Sequence, residues 1–258
     1  PNPCILCNKY IKFDILLKKA AKIGIDFEKF ATGHYANIFF NSKNNMYQLH
    51  KGIDLKKDQS YFLYRLTQNT LSKIIFPIGK YTKKQIRDIA KKIKIPVADK
   101  PESQNFYCGD YNDILNLPMN QGNIIDKKGR ILGKHNGIWN YTIGKRKGLG
   151  LYGGTNNPLY VVGISYKQNS ITVGTIKDLY SSSFMVKKIT WCSILIPKKP
   201  IEATVKIRQQ HRQAIAIIST TGIFSAKIKF YEPQISITPG QSAVFYDNNT
   251  VLGGGIIQ

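Results

Sequence analysis

The spacing of apolar residues along this chain changes character near Cys108. Before that point helical and extended patterns alternate. Ile11, Ile15, Leu16, Ala20 and Ile23 recur at helical spacing and Gly24 follows them, which predicts an amphipathic helix. Residues 30–40 read as a strand, with Gly33-His34-Tyr35 where the strand gives way to a loop. Asp58, a residue of the N-cap type, opens a second predicted helix that runs to Leu66. Thr82, with Gln85 three residues later, is the capping-box signature of a third, running to Ile93. Such alternation up to about Gln104 is the texture of an α/β sheet domain.

Past Cys108 the period shortens towards two. Turn signals at Asp126–Gly129 and Lys134–Gly137 flank short β-rich runs at 131–132, 160–164 and 170–173. From Phe184 onward the runs 204–207, 214–219, 226–230, 242–246 and 250–252 follow one another. Thr221-Gly222, Pro239-Gly240 and Asp247–Asn249 supply turns between them. This pattern predicts a small antiparallel β-barrel. The expected division is therefore 1–107 as an α/β part, 108–180 as a small β-rich part and 181–258 as the barrel.

Composition adds one strong constraint. The 258 residues hold 38 Lys and Arg against 15 Asp and Glu, a net charge of +23. A chain this basic binds a polyanion or comes from a lysine-rich proteome, and the abundance of Lys, Asn and Ile shows that the second cause contributes. No apolar run approaches the ~20 residues of a membrane span. Pro1-Asn2-Pro3-Cys4 is not the start of a signal peptide, so a cytoplasmic protein with no membrane partner is expected. Four cysteines in a chain of this length are not a disulfide framework, and in a reducing compartment a C-x-x-C points to metal or redox chemistry.

That C-x-x-C is Cys4 and Cys7, followed by Lys9 and Lys12. Thiolates are nucleophiles and soft metal ligands, and nearby cations lower their pKa. The alternatives are half of a zinc knuckle, for which the unpaired Cys192 offers no second half, and a pair of inert buried cysteines. Cys108 lies in a polar loop between Ser103-Gln104-Asn105 and Gly109-Asp110, either as a reactive thiol or as an apolar filler. Gly33 allows close approach to a nucleotide, and His34 can donate to a phosphate or base or serve as a core histidine. Lys57-Asp58-Gln59 suits a base edge or ribose, and equally an ordinary charged cap. Lys145-Arg146-Lys147 and the group Lys206, Arg208, His211 and Arg212 are cationic patches, with Tyr141, Tyr152 and Tyr160 as possible stacking platforms. A solvated face is the plain alternative for each patch, but together they point to RNA.

These residues carry a resemblance to the tRNA-specific 2-thiouridylases (the MnmA/TrmU family). The matching blocks are Pro1-Asn2-Pro3 with Leu6-Cys7-Asn8 and Ile11-Lys12-Phe13, then Ala31–Ala36 and Lys57–Leu66. Tyr141–Gly144 with Arg146 and Gly148–Gly150, Thr238–Tyr246 and Leu252–Gly255 complete the set in family order over the whole length. The resemblance implies the C-terminal part of a Rossmann-like ATP-pyrophosphatase domain, a small β-rich central domain and a C-terminal antiparallel β-barrel. It also implies ATP, with Mg²⁺, adenylating the C2 oxygen of a wobble uridine in tRNA, and a cysteine-borne sulfur displacing AMP. The sulfur would come from a donor protein, a cysteine desulfurase or a sulfur relay. By the same resemblance Cys7 is the catalytic nucleophile and Cys108 the persulfide carrier, a pair able to form a disulfide. Gly33 touches ATP. Asn2, Pro3 and Cys4 face the target base, and His34, Lys57, Asp58, Gln59, Arg208, Gln209 and Gln241 contact tRNA.

The chain departs from the family pattern at three places. The usual Ser-Gln-x-Ile-Cys-Phe-Ile-Gly is here Ser103–Gly109, one residue shorter with the thiol displaced by one. Position 4 is usually Asp and is here Cys, which gives C-x-x-C plus a distant cysteine. That is the pattern of tRNA thiolases holding a [4Fe–4S] cluster, so Cys4, Cys7 and Cys108 are candidate cluster ligands beside the persulfide route. The Ser-Gly-Gly-x-Asp-Ser pyrophosphate loop is expected ahead of residue 1, and without it the alternative is a non-catalytic tRNA-binding fragment.

Overall fold

The computed structural model describes residues 3–100, 118–151 and 158–258. The chain packs as two units. One comprises Pro1–Ala98, Ser182–Glu232 and Pro239–Gln258, and the other Asp99–Ser181 and Pro233–Thr238.

The first unit begins with one continuous helix in three registers: α over Pro3–Leu6, π over Cys7–Ile15 and α over Leu16–Lys22. In the π stretch the Leu16 N–H reaches back five residues to the Ile11 carbonyl. The expected helix is present, but its buried face is not the expected one. Ile5, Asn8 and Phe13 are buried, whereas Ile11, Ile15, Leu16 and Ile23 are exposed. Winding more residues into each turn rotates every later position, so a stripe counted at α spacing no longer faces inward.

The extended run 30–40 is two strands in two sheets. β1 (Phe30–Ala31) and β4 (Ile74–Ile75) form a short parallel pair. β2 (Ala36–Asn41) forms an antiparallel hairpin with β3 (Met46–Lys51). Between β1 and β2 the chain turns through Thr32–Tyr35, where Gln59 pins it: the Tyr35 N–H donates to Gln59 Oε1 at 2.9 Å and the Gln59 N–H donates to the Tyr35 carbonyl at 2.9 Å.

The predicted helix from Asp58 to Leu66 is a correction: only Ser60–Phe62 is helical, as a single 3-10 turn. Tyr61, Leu63, Tyr64 and Leu66 are all buried, so the segment has no exposed face for a helix to present. Their density imitates a helical pattern while reflecting burial on several sides. The capping box at Thr82 is present as expected, with the Thr82 N–H 2.8 Å from Gln85 Oε1, and it opens a helix over Lys83–Lys92.

The second unit holds a four-stranded sheet of β5 (Gly122–Ile125), β6 (Ile131–His135), β7 (Tyr160–Ser165) and β8 (Ser170–Gly174), in the order β6-β5-β8-β7. Its core gathers Ile124, Ile138, Leu149, Val161, Ile171 and Val173. In the adjoining basic loop, Lys145 Nζ donates to the Asn140 carbonyl at 2.7 Å and sits 4.9 Å over the Tyr141 ring, while Arg146 and Lys147 are exposed.

The C-terminal strands are β9 (Tyr180–Thr190), β10 (Ile201–Lys206), β11 (Ala214–Gly222), β12 (Ser225–Ile235), β13 (Ser242–Asp247) and β14 (Thr250–Ile257). They pair in the order β13-β10-β11-β12-β9-β14, and β14 pairs again with β13, which closes a six-stranded antiparallel barrel. Closure removes the free edges that an open sheet would expose. Ala203 and Val205, Ala216 and Ile218, and Ala226, Ile228 and Phe230 alternate inward with the period of two that the sequence shows. β3 pairs with β14, so the N-terminal hairpin extends the barrel sheet. One core joins Ile5, Phe13, Tyr61, Tyr64 and Phe76 to Cys192, Val244, Tyr246 and Val251 of the barrel. Tyr61 donates to the Ser242 carbonyl at 2.9 Å and the Tyr64 hydroxyl lies 3.0 Å from Ser242 Oγ, which fastens the two parts together.

Candidate functional site

A cavity of about 370 Å³ is lined by Lys12, Leu16, Phe30, Thr32, Gly33, His34 and Gln59. Four local devices build it. The helix is held by Asn8, buried, whose Nδ2 donates to the Phe62 carbonyl at 3.3 Å. Phe13 packs against His34 and Phe76, with ring centroids 5.7 and 6.1 Å away. The Thr32–Tyr35 turn is held by Gln59 as described. Gln59 is in turn positioned by Asp58, whose carboxylate accepts from the Gly52 and Ser60 N–H groups, each at 3.1 Å, and from the Ser60 hydroxyl at 2.9 Å.

The structure thus brings Gly33, His34 and Gln59 to one cavity. Cys7 lies on the same helix as Lys12, about one turn before it, and immediately precedes the anchor Asn8. Cys4 and Cys7 are partly exposed, and among the described residues neither is in a disulfide. Spaced three apart on one helix, the two side chains project to the same side. They supply two soft ligands of the three a cluster would need. Among the described residues no group of three or more metal-binding side chains is present. The remaining ligand, Cys108, lies outside the described residues, as do Asn2 and Tyr152. The expected disulfide and the [4Fe–4S] site therefore lie outside them as well. Pro3 is the first residue of the helix, where its missing N–H costs nothing. Arg208, Gln209 and Gln241 belong to the barrel part of the first unit and do not line the cavity.

Burial sets the ionisation of two groups, Cys192 and His34. Cys192 is fully buried, its Sγ 3.3 Å from the Val251 carbonyl, and burial pushes its thiol up to about 12. It is a packing residue. Burial, with the Lys12 charge adding to it, pushes His34 down from 6.5 to about 4. The imidazole is therefore neutral at physiological pH, and Thr32 Oγ1, 2.8 Å from Nδ1, fixes its ring. Neutral His34 offers a hydrogen bond without adding charge, and Lys12 provides the positive charge at the cavity.

This shift makes a prediction with a definite sign. An unfolded histidine takes up a proton near pH 6.5, whereas folded His34 does so only near pH 4. Its contribution to stability is complete above the first value and is lost as pH falls towards the second, by at most about 1.4 kcal/mol per pH unit. Thermal unfolding measured across that window should show a steeper loss in the parent chain than in His34→Gln. Equal slopes would refute the assignment.

Thr32 is a cavity residue that sequence reasoning did not single out, and the sequence marks Lys12 only as a cation near the thiols. The signals available were small: a lysine one turn after Cys7 and a hydroxyl two residues before His34.

Comparison with known proteins adds the following. Residues 1–108 match the family profile described as tRNA methyl transferase HUP domain, residues 115–175 the tRNA methyl transferase PRC-barrel domain, and residues 181–257 the aminomethyltransferase beta-barrel domain. The chain is 66% identical over 257 residues to the tRNA-specific 2-thiouridylase MnmA of Endomicrobium trichonymphae, covering all of this chain and 71% of that protein. It is 42% identical over 265 residues to MnmA of Carboxydothermus hydrogenoformans, covering all of this chain and 72% of that protein. A Thermoanaerobacter MnmA 2 is 44% identical over 265 residues, with the same coverage of 100% and 72%. No helix among the described residues is long and apolar enough to cross a membrane.

Proposed function

The chain belongs to the MnmA family of tRNA-specific 2-thiouridylases, and from that premise we propose that it replaces the C2 oxygen of a wobble uridine in tRNA with sulfur, in an ATP-dependent reaction. The observation that carries the reading is the convergence of Gly33, His34 and Gln59 on one cavity, beside the helix that bears Cys7.

A carbonyl oxygen is a poor leaving group until it is adenylated. The uridine O2 attacks the α-phosphorus of ATP and pyrophosphate departs. In this reading the Gly33 backbone, unshielded by any side chain, lets the nucleotide approach, and Lys12 balances phosphate charge. His34, neutral and held by Thr32, gives a hydrogen bond to the substrate. The Cys7 thiolate attacks the inner sulfur of a Cys108 persulfide. The outer sulfur, leaving with the S–S bonding pair, adds to C2; AMP departs with the former O2 and a Cys7–Cys108 disulfide remains. Mg²⁺ would accompany the phosphates of ATP. The alternative sulfur route uses Cys4, Cys7 and Cys108 as thiolate ligands of an iron–sulfur cluster. A sulfur donor protein and residence in the cytoplasm complete the proposal.

The test is thiolation of unmodified tRNA with ATP, Mg²⁺ and a cysteine desulfurase, read by retardation of thiolated tRNA on a mercury-containing gel. Retarded tRNA that requires ATP supports the reading, while tRNA bound but never thiolated supports a non-catalytic tRNA-binding role. Anaerobic reconstitution with iron and sulfide counting separates the sulfur routes. Iron retained by the parent and lost in Cys4→Ala favours the cluster, and no iron retained favours the persulfide.

A further inference from the structure

In the first unit, two ammonium groups outside the cavity lining share the field of one carboxylate. Lys51 on β3 sits 4.9 Å over the Tyr246 ring, and Lys206 at the end of β10 sits 5.9 Å over the Tyr61 ring. Both lysines are half-buried. The charge between them is Asp58, whose field acts on both. Asp58 makes no ion pair with either among the described residues, and its oxygens accept from the Gly52 and Ser60 N–H groups and the Ser60 hydroxyl. Arg208, two residues beyond Lys206, places a further positive charge within reach of Tyr61.

The hydrogen bonds of the two ammoniums differ. Lys51 donates to Gln213 Oε1 at 3.0 Å and to the Asn248 carbonyl at 2.7 Å, leaving one of its three N–H groups for another acceptor. Lys206 has no protein acceptor among the described residues. Its positive charge is half removed from water, lies over the Tyr61 ring, and makes no ion pair with the Asp58 carboxylate, which already accepts three hydrogen bonds. Withdrawn charges of one sign require a partner that brings both opposite charge and acceptor atoms. Burial pushes both lysines down from the ordinary range, and the Asp58 charge opposes that shift on each.

We propose that Lys206 and Lys51, on the rings of Tyr61 and Tyr246, form a phosphate-binding site that takes a backbone phosphate of the bound tRNA. The proposal rests on the reading of the chain as a tRNA-binding enzyme and names a contact beyond its reaction cavity. A phosphodiester fits because it presents two anionic oxygens: one for the idle donors of Lys206 and one for the remaining donor of Lys51. Rigid support by two buried tyrosines keeps the ammoniums in place before the ligand arrives, so little side-chain entropy is lost on binding.

The experiment measures the Kd of the full chain for unmodified tRNA over a series of KCl concentrations, for the parent, Lys206→Gln, Lys51→Gln and Lys206→Arg. Each lost phosphate contact lowers the slope of log K against log[salt] by about 0.7–0.9. The same slope weakens binding by about eightfold at ~0.1 M salt. The expected result is this drop for Lys206→Gln and Lys51→Gln, with the slope retained in Lys206→Arg. Should Lys51→Gln unfold through loss of its bonds to Gln213 and Asn248, Lys206→Gln decides alone, because it removes no hydrogen bond within the protein. Parent-like slopes in folded Lys206→Gln overturn the site while leaving the tRNA reading intact. A parent chain with no salt-dependent tRNA binding overturns both. Titration with inorganic phosphate separates a free-anion site from a backbone one: phosphate binding that is lost in Lys206→Gln while the tRNA salt slope stays parent-like counts against the proposal.

Discussion

Cys7→Ser is expected to abolish thiolation, by about a thousandfold or more, while leaving tRNA affinity and thermal stability near the parent values. In the proposed reaction Cys7 must attack a persulfide and accept a new S–S bond. A serine hydroxyl is neither ionised near neutral pH nor able to form that bond. Its surroundings separate this role from a structural one. Cys7 is partly exposed at the π-helical turn, while the packing of that turn depends on its neighbours Ile5, Asn8 and Phe13. Removing the sulfur therefore costs little in folding. Cys192→Ala is the opposite case, because the fully buried thiol is held too high to ionise. That change should destabilise the fold and leave turnover per folded molecule unaltered. Parent-like thiolation by Cys7→Ser, measured on the mercury-containing gel, would remove Cys7 from the chemistry whatever the family resemblance implies.

Local signals in the sequence proved the most dependable. The capping box at Thr82 needs only residues three apart, and the barrel strands need only alternation, so both could be read without tertiary knowledge. Features that depend on distant contacts could not. β3 shows no clean alternation, with only Leu49 fully buried, because its place is set by β2 on one side and β14 on the other. The break between β1 and β2 is imposed by Gln59, a residue 24 positions away. The π register leaves no spacing signal of its own, and it inverted the expected burial of Ile11 and Ile15. The cavity divides the same way. Gly33, His34 and Gln59 could be singled out from their motifs, whereas Lys12 is legible only as a cation near Cys7 until the fold places it beside His34.

Two glycines near this cavity should respond in opposite ways to the same added methyl group. A Cβ on Gly79 would lie 1.7 Å from the Ala36 carbonyl oxygen and 2.7 Å from Asn37 Oδ1, and backbone cannot swing aside as a flexible side chain can. Gly79 is also fixed by its own hydrogen bonds: its carbonyl accepts from the Ile53 N–H at 2.9 Å and from Asn37 Nδ2 at 3.1 Å. The displaced Ala36 N–H bonds the His34 carbonyl at 3.0 Å, so the strain passes directly into the cavity wall. Gly79→Ala should therefore cost about 3 kcal/mol or more, at the upper end of overpacking effects, and lower the melting temperature by roughly 10 °C. At Gly33 an added Cβ would meet nothing nearer than Ile78 Cδ1 at 3.8 Å, an ordinary contact. Gly33→Ala should keep stability within about 0.5 kcal/mol of the parent and act instead on function, by narrowing the approach to the nucleotide. Thermal unfolding and the ATP dependence of thiolation, measured on both variants, separate the two effects. A parent-like melting temperature for Gly79→Ala would refute the close packing against Ala36, and an unchanged ATP requirement in Gly33→Ala would take that residue out of the nucleotide site.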